Sequence, residues 1–202
     1  ERDHDVLTEL YNRRAFKRMA LALLARGPQA ACVGALVMLD LDNLKYINDT
    51  YGHDMGDAYI RCMAASLPSP DGERCLVARM SGDEFLVLFH GYDTQEEVRG
   101  QIALLRQRMT RASLTLPDGV RQPVRASGGV AWYPADSDRF DELVRYADFA
   151  MYQVKNSGKG EFAEFDGEAY RRDAYLVQSR GVLHRLLEQR LVDYHFQPII
   201  AV

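Results

Sequence analysis

The chain has 202 residues, of which 47% are hydrophobic and 27% charged, with a formal net charge of -4. That length suits one domain of ~100 to 200 residues with an appendage, and the composition is that of an ordinary globular protein. An acidic balance gives no reason to bind a nucleic-acid backbone, and no apolar run approaches the ~18 residues of a membrane helix, so neither nucleic acid nor membrane contact is expected of this stretch.

Three cysteines, Cys32, Cys62 and Cys75, are odd in number and too widely spaced for a CxxC pair. Neither a disulfide framework nor a zinc site is implied, and a reducing, cytoplasmic compartment is expected. The opening residues Glu1 to Asp5 are charged and carry neither an initiator Met nor a signal-peptide pattern, which reads as a piece of a longer chain.

Asn12 is placed to cap a helix from Arg13 to about Arg26, with Phe16, Met19, Ala20 and Leu23 on one stripe and Gly27 and Pro28 as its stop. Val33 to Leu39 is apolar on both faces, so it predicts a buried central strand ending at Asp40. A short helix over Leu44 to Thr50 follows, and another from Gly56 to Leu67 with Ile60, Met63, Ala64 and Leu67 at helical spacing. Two short strands, Leu76 to Arg79 and Phe85 to Phe89, flank the tight segment Met80 to Glu84 as a hairpin. Val98, Ile102, Leu105 and Met109 mark the next helix, Val124 to Trp132 a strand, and Phe140, Leu143, Val144, Ala147, Met151 and Val154 the last helix. The order predicts an α/β fold, an α+β sandwich whose mostly antiparallel central sheet is flanked by helices, closing near Phe165. Beyond it, Glu168 to Leu191 is charged and amphipathic, with Leu183, Leu186, Leu187 and Leu191 on one side, and resembles a connecting helix.

Chemistry concentrates in two acidic turns. Asp40 and Asp42 stand at alternate positions after the buried strand and project to one side, and Asp83 and Glu84 sit in the hairpin turn. An isolated LDLD string is more often a pair of loop acids capping the next helix. A second acidic turn shifts the balance toward a site of hard oxygen ligands, the set that Mg²⁺ accepts together with phosphates. Asn48 and Asp57 could read guanine, an amide facing O6 and N7 and a carboxylate accepting from N1 and N2, although both also suit helix boundaries. Lys45, Lys155 and Lys159 could meet phosphate, although exposed lysines are common, and the Ser157, Gly158 and Gly160 around Lys159 favour a close backbone approach.

Taken together these strings resemble the GGDEF family: Asp5-Val6-Leu7-Thr8 through Asn12-Arg13-Arg14, Asp40-Leu41-Asp42-Asn43-Leu44-Lys45 through Asn48-Asp49, Gly52-His53-Asp54-Met55-Gly56-Asp57, Arg79-Met80-Ser81-Gly82-Asp83-Glu84-Phe85, Ser127 to Ala131, and Ala147-Asp148 to Lys155 with Gly158-Lys159. The resemblance implies a fold similar to the palm of polymerases and class III nucleotidyl cyclases. It implies a diguanylate cyclase that joins two GTP into cyclic di-GMP with loss of pyrophosphate, in a homodimer where each protomer brings one GTP. It implies Mg²⁺, or Mn²⁺ in its place, on Asp40, the Leu41 carbonyl and Asp83 with Glu84 as a further acidic contact. Asp83 would also activate the 3′-hydroxyl. Asn48 and Asp57 would read guanine, His53 would shape the pocket, Lys45, Lys155 and Lys159 would hold or neutralise the triphosphate, and Arg79 would serve the same neighbourhood.

The chain also departs from the family pattern. Ser81 replaces the first Gly of the signature, Glu9 stands where Gly is usual and Lys159 where Arg is common, while Gly72 and Cys75 occupy the Arg and Asp positions of the inhibitory product site. Metal and GTP binding are expected to survive, with activity reduced. Tyr194-His195-Phe196-Gln197-Pro198-Ile199-Ile200 looks like the opening of an EAL phosphodiesterase domain. The expected division is therefore a GGDEF domain over 1–165, a connecting helix over 166–192 and the start of an EAL domain over 193–202, with a sensory domain upstream and the full-length protein tethered to a membrane or not. The alternative function is a GTP-binding regulatory module that does no chemistry and biases a downstream EAL phosphodiesterase.

Overall fold

Two layers of helix need a strand that is apolar on both sides, and Val33–Leu41 supplies it at the centre of a six-stranded sheet. The computed structural model describes residues 3–27, 33–69 and 74–173. In chain order the elements are β1 (Tyr11–Asn12), α1 (Arg13–Leu24), β2 (Val33–Leu41), α2 (Leu44–Tyr51), α3 (His53–Ser66), β3 (Cys75–Ser81), β4 (Glu84–Tyr92), α4 (Gln95–Arg111), β5 (Ser113–Thr115), β6 (Arg121–Pro123), β7 (Ala126–Tyr133), α5 (Phe140–Ser157) and β8 (Phe162–Glu164). The sheet order is β1-β3-β4-β2-β7-β8, antiparallel within the inner four strands and parallel at both edges, β1 on β3 and β8 on β7. The expected sandwich with a mostly antiparallel sheet is the observed fold.

Alternation along β2 sorts the core into two. Val37, Leu39 and Leu41 face Ile60 and Met63 of α3 and Val98, Ile102 and Leu105 of α4. Leu36 joins Phe16 and Ala20 of α1 and Phe140, Leu143 and Ala147 of α5 on the other side. Asn12 caps α1 as its sequence position implies, its Oδ1 accepting from the Ala15 N–H at 3.0 Å. Strands β3 and β4 run further than expected, so the turn between them shrinks to Gly82 and Asp83, and Glu84 becomes the first residue of β4. Three features went unread: β1, the β5–β6 hairpin and β8, each two or three residues per strand.

The chain divides into two units, Glu1–Phe165 and Asp166–Val202. In the second, residues 167–173 are helical. The remainder of the expected connecting helix, the stretch 193–202 read as the start of an EAL domain, and Gly72 of the altered product site lie outside the described residues. Among the described residues no helix is long and apolar enough to cross a membrane.

Candidate active site

Strand register brings the two acidic stretches together. Asp40 lies directly opposite Glu84 across the β2–β4 ladder, and one step on the Leu41 N–H donates to the Asp83 carbonyl at 2.9 Å. Cross-strand neighbours stand ~5 Å apart, so carboxylates separated by some forty positions in sequence crowd one corner of the sheet. Asp40 is almost buried at 8% exposure. Burial pushes its carboxyl up from the usual range, the Lys155 hydrogen bond opposes this, and the like charge of Asp83 adds to the upward shift.

Lys155 reaches Asp40 from the last turn of α5, Nζ to Oδ2 at 2.6 Å. The helix can lie that close because Gly129 of β7 has no side chain: a Cβ there would run into the Ala147 carbonyl oxygen and the Met151 nitrogen. Gly129 has no role in the sequence reading, and its place one turn of α5 below Lys155 is visible only in the fold.

Asp42 parts company with Asp40. It does not offer its oxygens to the same corner, as alternation along an extended strand predicts, because β2 ends at Leu41 and the chain turns toward β7. Its carboxylate accepts from the Ser127 hydroxyl at 3.1 Å to each oxygen and from the Gly160 N–H at 3.1 Å. The N–H groups of Gly158 and Lys159 both point to the Val154 carbonyl at 3.2 Å. The glycine-flanked turn therefore has no backbone donors turned outward for a phosphate, and it presents the exposed Lys159 side chain instead.

The expected guanine pair sits on the helical hairpin that follows β2. Asn48, half-buried in α2, packs its side chain against Gly56 of α3, where a Cβ would collide with the Asn48 amide oxygen. Asp57, next in the chain to Gly56, is half-buried, His53 opens α3 exposed, and Lys45 is exposed in the first turn of α2. Asn43 enters that turn at φ 67, a left-handed conformation that Asn tolerates.

Arg79 is bonded within the protein at both ends of its guanidinium: its Nε and Nη2 donate to the Gly82 carbonyl at 3.0 and 2.9 Å, and Nη1 pairs with Asp5 at 3.1 Å. Asp5 in turn accepts from the Thr8 N–H and hydroxyl. Arg79 thus fastens the signature turn to the amino-terminal turn. Burial raises the Asp5 carboxyl, and the Thr8 and Arg79 hydrogen bonds outweigh it, leaving it below the usual range. In the same amino-terminal turn Glu9 adopts φ 61, which accounts for the Gly expected there. Ser81 needs no such conformation, and its hydroxyl donates to Glu84 Oε2 at 3.0 Å.

Among the described residues no three His, Cys, Asp or Glu side chains are grouped to hold a metal ion by themselves. That is compatible with Mg²⁺, which takes one or two carboxylates and completes its shell from phosphates and water. The carboxylate oxygens at the β2–β4 corner fit such an ion, whose charge would offset the burial and the neighbouring Asp83 charge that raise the Asp40 carboxyl.

The chain matches the family described as "Diguanylate cyclase, GGDEF domain" over residues 2–161. Cyclic di-GMP phosphodiesterase NbdA of Pseudomonas aeruginosa is 31% identical over 199 residues, covering 98% of this chain and 25% of that protein. Diguanylate cyclase DgcN of Escherichia coli is 36% identical over 155 residues, covering 76% of this chain and 37% of that protein. The chain thus spans about a quarter of the first relative and just over a third of the second. The solved GGDEF domain of PA1120 (TpbB or YfiN) from P. aeruginosa superimposes with a TM-score of 0.73 at 31% identity, over 81% of this chain and 94% of that one. Because the match runs from the Asp5 turn through the paired acids to the Gly160 turn, the chain belongs to the diguanylate cyclase GGDEF domain family.

Proposed function

We propose that this domain is a diguanylate cyclase, condensing two GTP into cyclic di-GMP with release of two pyrophosphates. The observation that carries the proposal is the β2–β4 register, which sets Asp40 opposite Glu84 and bonds Leu41 to Asp83. Asp40, the Leu41 carbonyl, Asp83 and Glu84 would hold Mg²⁺, or Mn²⁺ on the same oxygens. When bound, the ion offsets charge on the attacking and leaving oxygens. Asp83 takes the proton of the 3′-hydroxyl as that oxygen attacks the α-phosphorus and the bond to pyrophosphate breaks. Lys45, Lys155 and Lys159 neutralise the triphosphate, Asn48 and Asp57 read guanine, and His53 bounds the pocket. Each protomer brings one GTP, so a homodimer is required, and the remaining rate enhancement comes from alignment. Relatives several times longer support a domain that works inside a longer signalling protein, with a sensory segment upstream, an EAL domain downstream and cytoplasmic GTP as substrate.

A second reading has its own observation. Lys155 already occupies Asp40, Ser81 already engages Glu84, and NbdA is named a phosphodiesterase. These favour a module that binds GTP without turnover and biases a downstream EAL phosphodiesterase. The purified chain is incubated with GTP and Mg²⁺ and followed for cyclic di-GMP and pyrophosphate, beside Asp83→Ala. The cyclase reading expects both products, lost in the variant; GTP binding with no product in a preparation shown to be dimeric gives the site to the regulator.

A further inference from the structure

We infer that Asp42 is a positioning residue that locks the turn carrying Lys159, and so sets how tightly the domain grips the triphosphate of its nucleotide. The inference rests on the reading above that Lys159 meets the triphosphate. Asp42 is 5% exposed and Ser127 is fully buried, yet the groups that reach the carboxylate are neutral donors, the Ser127 hydroxyl and the Gly160 N–H. Burying a carboxylate on neutral donors is costly unless its oxygens are satisfied. An amide of the same shape would not serve equally. A carboxylate is the stronger acceptor for both groups, and an Asn in its place loses the charge and keeps one accepting oxygen where the acid has two.

What the carboxylate holds is an improbable piece of backbone. Gly158, Lys159 and Gly160 have φ of 144, 62 and 71, and a left-handed lysine persists only where its surroundings over-determine it. Those surroundings are visible on both sides. Gly158 and Lys159 donate to Val154, Gly160 donates to Asp42, and the next carbonyl, Glu161, accepts from Gly128 at 2.9 Å as β8 zips onto β7. The Gly160 N–H also lies 3.2 Å from the Ser127 hydroxyl oxygen. With the N–H groups of Gly158, Lys159 and Gly160 all engaged within the protein, the exposed lysine side chain is what the turn offers to a phosphate. Asp42 is covalently two residues from Asp40, so the end of β2 fixes the acids and this lysine in one frame.

GTP and GMP dissociation constants are measured by calorimetry with excess Mg²⁺ on the wild-type chain, Asp42→Asn, Lys159→Ala and the double variant, with hydrogen exchange followed at Gly160. Expected for Asp42→Asn are faster exchange at Gly160, GTP weakened about tenfold and GMP less than about twofold, with little added loss on top of Lys159→Ala. Equal weakening of GTP and GMP, or the full tenfold loss persisting in the Lys159→Ala background, overturns the inference. Should Asp42→Asn fail to fold, Ser127→Ala removes one donor to the same carboxylate and is expected to show the same GTP-selective loss at smaller size; its absence is equally decisive. A wild-type chain that prefers GTP over GMP while Lys159→Ala leaves that preference intact instead overturns the triphosphate role of Lys159, a different result from a preference that needs Lys159 but ignores Asp42.

Discussion

The signature turn at Gly82 and Asp83 and the lysine turn at Ser157 to Gly160 stand at the same end of the sheet, yet they are fastened by different bonds. The first hangs on a guanidinium that grips the Gly82 carbonyl and is itself anchored to Asp5. The second hangs on a sealed carboxylate and uncharged donors. Salt acts on a part-exposed ion pair and hardly at all on a buried hydrogen-bond network, so the acids and the lysine of one site answer differently to ionic strength.

Replacing the guanidinium is the strongest way to separate the two turns. Arg79→Met leaves Asp5 half-buried without its cation and is expected to cost about 2 kcal/mol in urea denaturation, between the values of exposed and buried pairs. Gly160 exchange should stay as slow as in the wild type; equal loss of protection there would show that the two turns move as one. The sign at low pH follows from Asp5, whose lowered carboxyl contributes stability above the ordinary Asp range that is lost as pH falls through its lowered value. The acid limb of the stability curve should therefore be shallower in the variant.

A smaller effect of opposite sign is expected at Asp40. Its raised carboxyl means that ionisation disfavours the folded state, so the stability it contributes is present at low pH and lost as pH rises through its folded value. Asp40→Asn should accordingly raise the melting temperature at neutral pH, with the gain vanishing as pH falls into the carboxylate range. A gain independent of pH would assign it to packing. The smallest change is Glu9→Gly, which releases a left-handed non-glycine residue and should add about 0.5 to 1 kcal/mol without altering nucleotide binding.

Periodicity made most of the fold readable, because β2 is apolar on both faces and the stripes of α3 and α4 name the residues that are buried. Strands of two or three residues carry no period, which is why β1 and β8 escaped, although Pro117-Asp118-Gly119 is a turn signature that could have revealed the β5–β6 hairpin. In the site, residue types spoke for the acids of the two turns, but destinations did not. Arg79 finds Asp5 at 74 positions' distance, and Asp42 finds Ser127 at 85 and Gly160 at 118. Side chains at such separations are paired by topology, which a single chain of letters does not display. The partners of Asp42 and Arg79 within the protein are therefore visible only in the fold.

Helix α5 rests on β7 main chain to main chain at Gly129. The height of Lys155 above the sheet is therefore set by peptide units, whose dimensions do not vary, and not by whichever apolar side chains fill the layer around it. Core residues can drift in size over evolutionary time while that lysine keeps its altitude, so long as the one position without a side chain is retained.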